Sequence, residues 1–335
     1  MSDKKAAKMD KRTFGRTSRK VAPIGFGAWA IGADWGDVSE RDAEAALNEA
    51  LDRGVNFIDT ADVYGMGRSE TLIARVLKSR GAKDVIVATK AGKQTKPHVN
   101  AEYRTERLDR WVEDSIKRLG VEALDLVQLH SPPHEVYYRP EIFEGMDRLV
   151  KAGKIKAYGV SVEWTEEAIK ALEYPIASVQ IIFNMFRQRP TEMFFDLAKK
   201  KGVGVIARVP LASGLLSGKF TASTRFAADD HRTYNRNGEA FDKGETFSGI
   251  PYEVGLQAVE ELRPLVPSGV SMAQWALRWI LMFDAVTVAI PGAKNREQAA
   301  GNAAAMNLPP LTDAQMVAVK RIYESRIKAH VHQRW

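Results

Sequence analysis

Eight short apolar runs, each feeding a segment of helical character, constrain this chain more than any other feature. The runs lie at 21–27, 55–61, 85–92, 124–132, 155–162, 178–184, 202–211 and 286–292. They are continuous in apolar residues and do not alternate. Strands covered on both faces read this way, so the sheet is expected to be parallel. Helical segments follow at 39–54, 69–78, 105–119, 141–152, 165–172, 191–201, 254–265, 271–282 and 295–305. Ser39 opens the first of them as an N-cap and Gly54 closes it. Eight βα units point to an α/β fold, a closed (β/α)8 TIM barrel. The first run is alternatively one arm of an N-terminal hairpin with "KRTFG", capping the barrel floor and shifting the strand count. A doubly wound open sheet is the main competitor.

The 335 residues suit two domains or one barrel, and no linker divides them. One domain over 1–335 is therefore expected, with 1–11 as a flexible tail. The polar stretch 221–249 is read as a lid, because irregular segments of that length are usually functional. The chain has no cysteine, which excludes disulfides and thiolate chemistry and fits a reducing cytoplasm. No apolar run reaches about 18 residues, and the charged start lacks the apolar core of a secretory signal. The net charge of +7 and pI near 9.4 suit a small cofactor bearing phosphate. Basic residues are not interleaved with aromatics in a stripe, so nucleic acid is not an expected partner.

In a barrel of this kind, reactive residues sit at the C-terminal ends of strands. Read in order, those ends offer Asp59 with Tyr64 in the loop beyond, Lys90, His130, Ser161, Gln180 with Asn184, and Arg208. Each alone is ordinary: a turn former, a packed ring, a surface lysine, a satisfied histidine. Together on consecutive strands they make a coherent set. A lysine at an apolar strand end needs a counter-charge, and Asp59 supplies one. The Lys90 charge is expected to lower the Tyr64 pKa, making Tyr64 a general acid toward a developing alkoxide. His130 is placed to donate a hydrogen bond to the same oxygen. The set suits carbonyl reduction. Asp62 is read as turn chemistry.

The segments "NFIDTADVYG", "VIVATKAG", "DLVQLHSP", "GVSV", "SVQIIFN", "PLASGLLSGK" and "IPGAKNREQAAGN" together resemble the aldo-keto reductases in order and approximate spacing, from about residue 12 to 310. The resemblance implies a (β/α)8 barrel reducing an aldehyde or ketone with NADPH bound in extended form, NADH being possible. It implies a catalytic tetrad of Asp59, Tyr64, Lys90 and His130. Gly27, Ala28, Trp29 and Asp59 match the nicotinamide-ribose end, and Ser161 and Gln180 the carboxamide contacts. Arg208, Pro210, Leu211, Ser213 and Lys219 match the loop beside the nicotinamide and pyrophosphate. Lys294, Arg296, Gln298 and Asn302 match the adenosine-phosphate end, in keeping with the anion sites that helix N-termini form.

Three departures stand out. Val162 follows the serine of "GVS" where members commonly have Asn. Arg208 stands where many stack a tyrosine on the nicotinamide, adding charge beside the ring. Gln298 stands where many have an arginine, which weakens strict NADPH preference. An alternative is a nucleotide-binding, channel-associated subunit of the same fold with little turnover; a metal-dependent hydrolase is a third reading. "GFGAWA" fits a Rossmann fingerprint only if a helix opens directly behind it, and "GLLSGK" is one residue short of a P-loop. His330 and His332 are a weak metal pair, and His134 is read as loop surface. The substrate pocket is expected to be apolar and aromatic, walled by Trp29, Trp35, Trp164, the 221–249 segment and the C-terminal tail.

Overall fold

The first apolar run divides between two sheets. In the computed structural model, which describes residues 10–32, 35–36 and 38–335, its start joins a hairpin and its end enters the barrel. Strand β1 (Arg12–Thr13) pairs antiparallel with β2 (Lys20–Val21), while β3 (Phe26–Gly27) begins an eight-stranded parallel sheet. That sheet continues through β4 (Phe57–Asp59), β5 (Ile86–Ala91), β6 (Leu126–His130), β7 (Tyr158–Ser161), β8 (Ser178–Ile182), β9 (Gly204–Arg208) and β10 (Val286–Ala289), each beside its predecessor. Bridges Ile24↔Ala289 and Gly27↔Gly292 join the last strand to the first. The fold is the (β/α)8 barrel, and the hairpin leaves the count of eight intact. The open-sheet alternative is thereby overturned. Of the expected 1–11 tail, residues 1–9 lie outside the described residues.

The hairpin plugs the floor for a hydrophobic reason. Phe14 and Val21 pack with Phe57, Ile86, Leu126, Ile206 and Val288 inside the strand ring. Phe14 is 1% exposed, and burying such a side chain contributes roughly 1.5–3 kcal/mol. The Arg12 guanidinium donates to the Leu281 carbonyl at 2.7 Å and to that of Val286, fixing the hairpin beneath β10. A second, larger core lies between strands and helices.

Several helices start where a side chain satisfies a free backbone N–H group. Ser39 Oγ accepts from Asp42 N at 3.1 Å ahead of helix Glu40–Asp52. Helix Arg296–Ala304 is capped by Asn295, whose Oδ1 accepts from Gln298 N at 2.9 Å. A further helix, Asp313–Ile322, lies beyond the last expected one, with Thr312 and Gln315 forming a capping box.

Segment 221–249 lies against the C-terminal ends of the strands. It carries helix His231–Tyr234 and 3-10 turns Lys243–Glu245 and Phe247–Gly249. The His231 ring sits 4.8 Å from Trp29 and 4.6 Å from Trp35. From the other side Asn184 Nδ2 donates to Ser248 Oγ at 2.8 Å. Trp335 is buried beneath the segment, its indole donating to Asp242 at 3.0 Å.

Candidate active site

Parallel register sets the geometry of the strand ends. Lys90 lies opposite Gln128, His130 opposite Ser161, and Ser161 opposite Gln180. Lys90 is 1% exposed. Its ammonium donates to Asp59 Oδ2 at 2.6 Å, to the Thr60 carbonyl at 2.9 Å and to the Tyr64 hydroxyl at 3.0 Å. All three donors of the ammonium are used. The other oxygen of Asp59 accepts from Gln180 at 2.7 Å and from Gln128 at 3.3 Å. Asp59 is therefore satisfied wholly by protein groups.

Tyr64 reaches this cluster from a tight turn. Gly32 makes room for it: a Cβ there would stand 2.7 Å from the Tyr64 Cβ. The Trp29 ring lies nearly parallel to the Tyr64 ring at 6.1 Å, and His130 meets it edge-on at 5.9 Å.

Burial dominates the titration of the set. It pushes the Tyr64 hydroxyl well above its ordinary range, and Asp59 adds to the rise. This corrects the expected lowering by Lys90, whose charge is already held by Asp59. Burial lowers the Lys90 ammonium while Asp59 opposes it. Burial also pushes His130 well below its usual value, with Lys93 and Lys90 adding to the fall, so the ring is neutral.

A cavity of about 1120 Å³ opens above the cluster. Gly27, Trp29, Tyr64, His130, Ser161 and Gln180 line its base. Pro210, Leu211, Ser213 and Lys219 line one side, and Lys294, Gln298 and Asn302 its far end. Ala28 is fully buried behind the wall, its N–H donating to the Asp59 carbonyl at 2.8 Å. The hydroxyl of Ser213 is engaged within the protein, donating to the Glu245 carbonyl and accepting from Phe247 N. Arg296 points outward and pairs with Glu49 at 2.7 Å; it is not among the lining residues.

The charge of Arg208 is not free beside the cavity. The guanidinium pairs with Glu245 of the 221–249 segment and donates to the Val162 carbonyl at 2.7 Å. Its Nε is buried without a partner among the described residues. Trp164 does not wall the cavity; it is 44% exposed and lies 5.9 Å from His134. His332 stands between Glu192 and Tyr323. Sequence reasoning missed Gln128, Lys93, Glu163, Asp242 and Glu245. Gln128 carries a usable signal, because period two in "VQLH" puts it on the face of His130.

The Aldo/keto reductase family model matches residues 23–324. The chain belongs to the aldo/keto reductase family. This aldo/keto reductase is 32% identical to the aldo-keto reductase YhdN of Bacillus subtilis over 87% of its own length and 86% of that protein. It is 28% identical to the aldo-keto reductase yakc [NADP(+)] of Schizosaccharomyces pombe, over 93% and 90%. The solved holo form of aldo-keto reductase AKR11C1 from Bacillus halodurans superposes with a TM-score of 0.77 at 26% identity, covering 97% of this chain and 99% of that one.

Proposed function

We propose that this aldo/keto reductase reduces an aldehyde or ketone to an alcohol with a nicotinamide cofactor, using Tyr64 as general acid. The carrying observation is the Lys90 ammonium, bonded at once to Asp59 and to Tyr64 at the cavity base. Because Lys90 donates to the Tyr64 oxygen, the tyrosine's own proton is turned away from Lys90 toward the cavity. The raised pKa keeps that proton in place until a carbonyl oxygen gains negative charge. Tyr64 then gives it up, and Lys90 stabilises the tyrosinate left behind. Neutral His130 donates a second hydrogen bond to the same oxygen. Asp59, fixed by Gln180 and Gln128, keeps Lys90 aimed.

The residues present fit a nicotinamide dinucleotide. The cavity exceeds the roughly 300–1,000 Å³ of sites for drug-sized ligands, and Lys219 and Lys294 bring positive charge to it. Gly301 lines the far end, where an added Cβ would meet nothing within 4 Å. When bound, the cofactor supplies the hydride. Lys294 would hold a 2′-phosphate, and NADP in the name of the S. pombe relative supports that preference. Gln298 and the outward-turned Arg296 leave room for NADH. Segment 221–249 acts as the lid that excludes water.

NADPH oxidation on addition of simple aldehydes and ketones tests the reading. Turnover supports it. Tight cofactor binding without turnover of any carbonyl would favour a regulatory nucleotide-binding subunit instead.

A further inference from the structure

Trp335 is not among the residues lining the cavity, yet it is only 5% exposed. Its indole N–H donates to both oxygens of Asp242, at 3.0 and 3.1 Å. The buried Arg187 guanidinium stands over the ring, 4.3 Å from its centroid, a contact that strengthens when desolvated. Two glycines of the 221–249 segment settle directly on the indole. A Cβ at Gly249, where φ is +81°, would stand 2.5 Å from it, and one at Gly244 3.2 Å; only glycine tolerates both that backbone and that approach. The chain carrying Trp335 is fixed outside the segment. His332 meets Glu192 at 2.9 Å, and the Thr165 hydroxyl donates to the Trp335 carbonyl at 3.3 Å. The residues held down in this way face the cavity: Phe241, Asp242 and Glu245 line it. Phe241 meets the Trp29 ring at 6.0 Å, and Glu245 pairs with Arg208.

We propose that Trp335 is a latch: clamped between Arg187 and Asp242, it holds the 221–249 segment down on the cavity and sets how fast a nicotinamide dinucleotide is released. This rests on the cofactor reading proposed above. An indole offers a hydrogen bond and a large rigid apolar face in one group, so the segment loses both together when Trp335 is removed. Lid opening sets the pace of release in many enzymes. Because Trp335 contacts the segment and not the cavity, it is a positioning residue. Loosening it eases passage in both directions, so the dissociation rate moves more than the affinity does. Damage to the binding site itself would move the two together.

The test uses wild type, Trp335→Ala and Trp335→Phe, with two rates. The first is trypsin cleavage of the cofactor-free protein within the segment, which offers Arg225, Arg232, Arg236 and Lys243. The second is NADPH dissociation by stopped-flow fluorescence, with Kd measured alongside. Trp335→Ala should raise both rates about tenfold, the scale of one hydrogen bond to a charged group, with Kd within about threefold of wild type. Trp335→Phe keeps a ring on Arg187 and loses the bond to Asp242, so it should move both rates the same way by less. If Trp335→Ala fails to fold, Trp335→Phe decides on the same rates. An unchanged dissociation rate, or a Kd that rises in proportion to it, overturns the latch while the cofactor reading stands. If wild type binds no NADPH, the cofactor reading falls instead, and the trypsin rate decides: faster cleavage supports the latch, and equal cleavage overturns it.

Discussion

Arg208 at the end of β9 and Glu245 in the 221–249 segment form an ion pair with side chains 8% and 10% exposed. Burial, the largest single influence, would raise the Glu245 carboxyl, but Arg208 together with Lys93 and His231 holds the group below its usual range. The pair ties the segment to the barrel. Glu245→Ala leaves a buried cation uncompensated and should cost about 3–5 kcal/mol of stability. Removing both charges together, as Arg208→Leu with Glu245→Leu, should cost less than the single change. Urea unfolding of the three proteins checks the order; a single variant as stable as the double would contradict it.

Asp62 predicts a pH dependence of stability. Burial, with the nearby Glu70 charge, raises its carboxyl to about 7, and Oδ1 has no partner among the described residues. The folded value lies above the ordinary 3.8, so folding favours the protonated form. Its contribution is complete below about pH 4 and is lost as pH rises through 7, by up to about 4 kcal/mol. Asp62→Asn should flatten that part of the curve. Urea unfolding of both proteins at pH 5 and pH 8 measures it; parallel losses in the two would refute the assignment.

Cofactor preference separates two neighbouring cations. Lys294 lines the cavity and reaches the Trp35 carbonyl, whereas Arg296 is engaged by Glu49. Lys294→Ala should weaken NADPH about tenfold, near 1.4 kcal/mol, and NADH far less. Arg296→Ala should change both only slightly. Dissociation constants from fluorescence titration decide this; a larger NADPH loss on removing Arg296 would reverse the roles.

What was legible in the sequence follows from how local the physics is. The strands were readable because burial on both faces leaves unbroken apolar runs, and Asp59, Lys90 and His130 because each ends such a run. The split of 21–27 was foreshadowed by "KRTFG", whose Phe14 has no place except the floor. Helix Asp313–Ile322 was missed although "TDAQ" carries its capping box. The partner of Arg208 was not legible: Glu245 lies 37 residues on, in a segment with no periodicity. The direction of the Tyr64 shift failed for a similar reason. Charge proximity can be read from strand order, but the burial that outweighs it belongs to the assembled fold. Lys93 and Glu163 escaped because loop residues show their aim only once the strands are closed.

Tyr64 is the proposed proton donor. Its ring fills a fixed place beside Trp29 and Lys90, so Tyr64→Phe removes one hydroxyl and little packing. The most direct measurement is NADPH turnover of an accepted carbonyl by wild type and Tyr64→Phe, with NADPH affinity measured on both. The expected result is a fall in kcat of about 10²–10⁴-fold, the usual share of a general acid, with cofactor affinity within about threefold of wild type. A Tyr64→Phe protein that reduces the carbonyl at the wild-type rate would contradict the account.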